Sequence, residues 1–348
     1  MKKLLAISFA FISVSSAYAQ EQPQLLFNNP IIDITYPDVA GDYLVYSQRV
    51  HKSHQIMQLN RHQLGGAAKH VDAAFTNEVV RYGAAIANGD IAFVSNRLGT
   101  LTPWFASEHA QVAMHPGMFQ SLLMPNHLEV SANGDTWVFD SSLETSRALR
   151  ISKQFTDKKL DHELLGQAWR MYHERLWLKK SGYPKTEEGM ENTFAQPQLF
   201  VMHPNNNSLT MLGDGFDATL SQDGKSMVFV RETHGNFDLW MQNLDGTGLK
   251  RLTKNIYADV EPSFSPDGQR VAFVSNRNSR GDVLQTFIHV LNIQTGKITA
   301  VTSGMGTIDG GPSWLDNHTI IFHSNRDPKA PSTDTVDNWR LWTVALPK

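Results

Sequence analysis

Short runs in which apolar and polar residues alternate recur along the chain. The clearest unit reads Pro262-Ser263-Phe264-Ser265, then Pro266-Asp267-Gly268, then Arg270 to Ser275. Alternation with a period of two predicts strands with one buried face. The Pro-Asp-Gly step predicts a tight turn, since such turns need backbone angles that Gly and Asn tolerate. A second strand pair follows the same rule: Asp238 to Leu244, the turn Asp245-Gly246, and Leu249 to Thr253. The turn signal returns at Asn88-Gly89-Asp90, Asn133-Gly134-Asp135 and Asp223-Gly224.

These units are spaced regularly. The hexapeptide AFVSNR occupies residues 92–97 and again 272–277. Its echoes end at Arg49, Arg97, Ser142, Glu232, Arg277 and Arg326, at intervals of 48, 45, 90, 45 and 49 residues. A period near 45, close to that of WD40-like repeats, belongs to propeller blades or helical arrays. Strand periodicity selects the propeller. The expected fold is all-β, a β-propeller of four-stranded blades. Phe93 and Phe273 are expected at equivalent inner-strand sites packed on the neighbouring blade. The Ser-Asn pair should bond local backbone, with the following Arg reaching an adjacent blade.

The doubled interval predicts seven blades. The weak unit would use Arg175 to Leu178, a long loop from Gly182 to Ala195, Gln198 to His203, a turn at Asn205-Asn206-Asn207 and Ser208 to Leu212. Six blades plus an insertion is the alternative, with Lys158 to Lys180 as an amphipathic helix. The chain ends on NWRLWTVAL, a third-strand pattern, so Gln24 to Phe27 is expected to supply the missing fourth strand of the last blade. This closure leaves no open edge.

Residues 1–19 have the plan of a secretory signal peptide. Lys2 and Lys3 precede an apolar run from Leu4 to Val14, and Ala17-Tyr18-Ala19 gives the small-x-small cleavage pattern. Cleavage near Ala19-Gln20 predicts a periplasmic or secreted protein with no membrane span. Residues 20–32 then form the closing segment and 33–348 the propeller. There is no cysteine, so neither a disulfide framework nor a lipid-bearing cysteine holds this chain. Without Lys2 and Lys3, the 31 basic residues become 29 against 34 acidic ones. That balance argues against a nucleic-acid partner.

The segment PSFSPDGQRVAFVSNR, with the DLWMQNLDGTGLKRLT stretch from Asp238 to Thr253, resembles the TolB-type propeller repeat. The resemblance is strong from Asp217 to Arg326, fair from Asp33 to Ser142 and weak from Thr156 to Gly213. It implies a fold found in the periplasmic TolB proteins and in the propellers of prolyl-oligopeptidase relatives. It carries almost nothing about activity. The α/β domain that precedes the TolB propeller has no room in residues 20–32. The G-x-S-x-G elbow of the oligopeptidase relatives is missing, so their peptidase activity is not expected.

Chemistry is sparse in the sequence. None of the 14 histidines falls in a recognised zinc spacing. His51 and His54 form a weak pair, and His323 reads as a buried, satisfied side chain. Acidic residues give the better pattern: Asp33, Asp217, Asp259, Glu261 and Asp309 all lie at or just before the strands that would line the central channel. Asp217, Asp259, Glu261 and Asp309 are the expected contacts for a cation or a positively charged peptide at one mouth. Each also reads as a turn cap. Arg97, Arg277 and Arg326 are the candidate contacts on the opposite rim. The expected function is a monomeric, non-catalytic protein- or peptide-binding module of the cell envelope, without a cofactor, a bound structural cation staying open. The alternative is a propeller lyase or hydrolase acting on a glycan or small secreted substrate.

Overall fold

Every hairpin turn anticipated from Asn-Gly and Asp-Gly joins two antiparallel strands in the computed structural model. It describes residues 22–27, 30–50, 58–65, 68–70, 80–95, 102–107, 111–113, 125–141, 197–206, 208–233, 236–282, 284–331 and 334–346. Within them lie six four-stranded antiparallel sheets. The blade count is therefore six, not seven.

The doubled interval has a simple cause. In the third blade the second strand, Trp137–Ser141, pairs directly with the third, Gln198–His203. The residues between them interrupt one blade and happen to add about one period. The strand placed at Arg175 to Leu178, the loop from Gly182 to Ala195 and the helix over Lys158 to Lys180 lie outside the described residues. Gln198 to His203 and Ser208 onwards do form third and fourth strands, but those of the third blade.

The ring closes as expected. Gln24–Leu25 pairs with Thr335–Ala345, so a segment from the start of the chain completes the sixth blade. The core is a circuit of clusters, each shared by neighbouring blades. Val45 and Leu59 meet Phe93 between blades one and two. Ala84 and Val94 meet Trp137 between two and three. Val138 meets Phe229 between three and four. Phe237, Phe273 and Phe322 link four, five and six, and Ile321 with Leu341 meets Ile34 and Tyr46 across the closure. Apolar burial between blades thus holds the disc together without any disulfide.

The repeated hexapeptide now has a physical account. Phe93 and Phe273 are fully buried at equivalent sites, though on second strands rather than the channel-lining first ones. Asn276 accepts the Ala258 backbone N–H and Asn325 accepts that of Ile308, each just ahead of a first strand. Arg277 pairs with Asp259 and Arg326 with Asp309. Both arginines bind their own blade's first strand, and Arg326 also donates to the Ser303 carbonyl on the connection from the fifth blade. Arg97 lies outside the described residues.

Candidate functional site

Each first strand carries a bulge at the same step. Between the paired positions flanking it, two residues stand opposite one. Tyr36-Pro37 faces Tyr46, Tyr82-Gly83 faces Phe93, and Asn126-His127 faces Asp140. Asp217-Ala218 faces Phe229, Glu261-Pro262 faces Phe273, and Gly311-Pro312 faces Phe322. A bulge re-aims side chains and tolerates Pro, because the extra residue leaves the ladder. Tyr36, Asp217 and Glu261 adopt left-handed backbone angles there, with φ of 50°, 47° and 49°. Such angles are uncommon outside glycine and cluster where the chain serves a site.

The bulges line one central cavity, about 670 Å³ counted with its solvent-filled mouth. Its wall holds four carboxylates, Asp38, Glu129, Asp217 and Glu261, with His127 and Tyr36 beside them. Among the described residues no Lys or Arg lines it.

Polar groups along the first strands latch one blade to the next, among the described residues at five of the six junctions. Glu261 Oε2 accepts the Gly311 N–H at 2.6 Å, and His323 Nδ1 accepts that of Tyr36 at 3.3 Å. Asp140 Oδ1 accepts the His127 and Asp217 N–H groups at 3.3 and 3.4 Å. Two residues further along three of the first strands the pattern repeats. Asp38 Oδ2 accepts the Ala85 N–H at 2.7 Å, Ser313 Oγ that of Val39 at 3.1 Å, and Thr219 Oγ1 that of Phe264 at 3.3 Å. Thr219 donates to Glu129, and Ser313 donates to Asp38.

A wall of this kind strains its own charges. Burial pushes the Asp217 carboxyl well above the usual carboxylate range, and the charges of Asp140 and Glu261 push the same way. Burial, reinforced by the charge of Asp38, does the same to Glu129. Asp38 and Glu261 are raised by burial, against the N–H groups of Ala85 and Gly311. Burial lowers His127 to about 4. Anions crowded in a narrow, low-dielectric channel favour either a proton or an incoming cation.

The sequence-derived site residues divide in two. Asp217 and Glu261 do reach the cavity. Asp259 and Asp309 are buried partners of arginine instead, with Arg277 Nη2 at 2.7 and 2.8 Å from the two Asp259 oxygens and Arg326 Nη2 at 2.5 Å from Asp309 Oδ2. The acids and arginines assigned to opposite rims are therefore bonded to each other. His323 is buried as expected, edge-on to Tyr36 and Trp339, and burial lowers it to about 3. His51 and His54 lie outside the described residues.

Asp38, His127, Glu129 and Asp140 escaped the sequence reading. A signal for His127 existed: it lies four residues before Ser131, as Asp217 and Glu261 lie four before Ser221 and Ser265. All three serines bond the turn residue two positions on, Asn133, Asp223 and Asp267. Counting back from the turn would have found the ring.

No family model matches the chain. Over 108 residues it is 35% identical to the "Protein TolB homolog" of Chlorobium luteolum, a match covering 30% of this chain and 23% of that protein. The chain thus spans about a quarter of that relative's length. A TolB structure from Acinetobacter baumannii superposes with a TM-score of 0.51 at 14% identity, covering 90% of this chain and 63% of the other. An oligogalacturonate lyase in complex with manganese superposes at 0.52 and 12% identity, covering 92% of both chains. At such identities these structures share the propeller fold alone. The chain carries the TolB-type propeller repeat, as its motifs implied.

Proposed function

We propose that this protein is a binding propeller of the cell envelope, periplasmic or secreted, whose acidic channel receives a positively charged segment of a partner protein or peptide. One observation carries this reading: Asp38, Glu129, Asp217 and Glu261 face a single cavity whose described wall contains no lysine or arginine. A lysine or arginine entering there gains charge-assisted hydrogen bonds in a setting where water screens weakly. It also relieves the repulsion among the carboxylates. Sequence likeness to a TolB homolog supports an envelope setting, and the signal-like residues 1–19 support export.

The glycan-lyase alternative draws less support. A polygalacturonate chain is itself anionic, so it would meet the carboxylates as like charges.

A lysine-rich peptide, titrated into the full protein with chelator present, tests the reading. Binding should weaken steadily as salt rises, since entry depends on screened charges. Salt-independent binding, or none at low salt, contradicts it.

A further inference from the structure

The third blade differs from the other five at one place. The residue opposite the bulge is Tyr46, Phe93, Phe229, Phe273 or Phe322 in five blades, and Asp140 in the third. That aspartate is only 3% exposed, and its Oδ1 accepts the backbone N–H groups of His127 and Asp217. Two further groups converge on it. His127 comes from the same blade's bulge, and Asp217 from the bulge of the next blade.

We infer that His127, Asp140 and Asp217 form a site for one divalent transition-metal ion, in the wall of the channel between blades three and four. One ligand atom from each lies within 4.8 Å of the others. An ion bonded at about 2.1 Å holds such atoms up to about 4.2 Å apart, a gap that small side-chain rotations close. The independent sign of a missing ligand is Asp217. Its side chain is 5% exposed and lines the cavity, yet among the described residues its carboxylate receives no hydrogen bond. Buried carboxylates are normally bonded, paired or coordinated.

The donor set selects the class of ion. One imidazole with two carboxylates suits manganese or zinc, whereas calcium and magnesium favour all-oxygen shells. Three protein ligands leave open positions directed at the cavity, where water or a ligand group would complete the shell. Asp140 already accepts the backbone N–H groups of His127 and Asp217, an arrangement that holds the two ligand-bearing segments together.

The ion alone tests this, with no peptide present, so the site and the peptide-binding reading can fail separately. Chelator-stripped full-length protein is titrated calorimetrically with manganese chloride and zinc chloride. One ion per chain is expected, with affinity reduced about ten-fold or more in Asp217→Asn and in His127→Gln. Asp245→Asn, at an exposed turn outside the channel, should bind as the wild type does. Pulsed electron paramagnetic resonance of the manganese-loaded wild type should show coupling to an imidazole nitrogen, a readout that needs no variant. Absence of uptake, unchanged affinity in both folded variants, or a bound manganese without nitrogen coupling would overturn the assignment.

Discussion

Arg326 and Asp309 form an ion pair from which solvent is wholly excluded. Nη2 lies 2.5 Å from Oδ2 and Nε 3.0 Å from Oδ1, and both side chains are 0% exposed. Arg326 Nη1 also donates to the carbonyls of Ser303 and Pro331, while Thr302 and Ser324 donate to the Asp309 carboxylate. Such a pair is stable only while both members stay. Arg326→Met should therefore cost about 3–5 kcal/mol, because the buried carboxylate loses its counter-charge. Replacing both residues, as Asp309→Leu with Arg326→Met, should cost less than the single change. Urea unfolding of the three proteins decides the matter. A double variant weaker than Arg326→Met would mean that the pair itself dominates.

His289 in the fifth blade is one of three buried histidines, with His127 and His323, whose burial makes the fold less stable in acid. His289 is buried against Phe273 and hydrogen-bonded to the Phe287 carbonyl; burial, then the charge of Arg277, lowers it to about 4. Asp259 pulls the other way but more weakly. The folded value lies below the unfolded one of about 6.5, so the fold binds fewer protons than the unfolded chain. Its contribution is complete above pH of about 6.5 and is lost as pH falls towards about 4, by up to about 3 kcal/mol. His289→Gln removes this titration. Between pH 7.5 and 4.5 the variant should lose less stability than the wild type in urea unfolding; parallel losses would show that His289 is not the sensor.

Gly311 and Gly268 separate two reasons for glycine. Both have left-handed backbones, with φ of +52° and +67°. A Cβ at Gly311 would lie 2.8 Å from His323 Nδ1, in a packed wall, whereas at Gly268 nothing lies within 4 Å. Gly268→Ala should cost about 1 kcal/mol, the conformational penalty alone. Gly311→Ala adds a clash with a buried ring and should cost clearly more. Equal shifts in the thermal midpoint would refute the packing account.

Much of the fold was written in local pattern. Asp-Gly and Asn-Gly fixed the hairpins, alternation fixed the strands, and Gln24-Leu25 was readable as the closing strand because Trp339 to Ala345 lacked a partner. The blade count was not readable, since an interruption of about one period looks like a missing blade. The site was half legible. Asp217 and Glu261 carry the position signal, and so do Asp259 and Asp309 two residues earlier relative to the bulge. Only the partner arginines distinguish the two sets, and those pairings span 17 or 18 residues. Asp140 was hidden within a strand that otherwise reads as core. Nothing in VFDSS says that its aspartate meets a histidine from the strand before and an aspartate from the next blade.

Binding in the channel depends on the negative charge of its wall. Glu129 and Glu261 belong to that wall but not to the proposed ion cluster, which makes them the test residues. Calorimetry should compare the wild type and the Glu129→Gln, Glu261→Gln double variant, each with a lysine-rich and a glutamate-rich peptide of equal length, in chelator at low salt. The wild type should bind only the lysine-rich peptide, and the double variant should bind it about ten-fold or more weakly while unfolding no earlier on heating, since each lost charge is worth about 1 kcal/mol or more in such a setting. Equal affinity for both peptides, or a double variant that binds like the wild type, would contradict the acidic channel as the binding site.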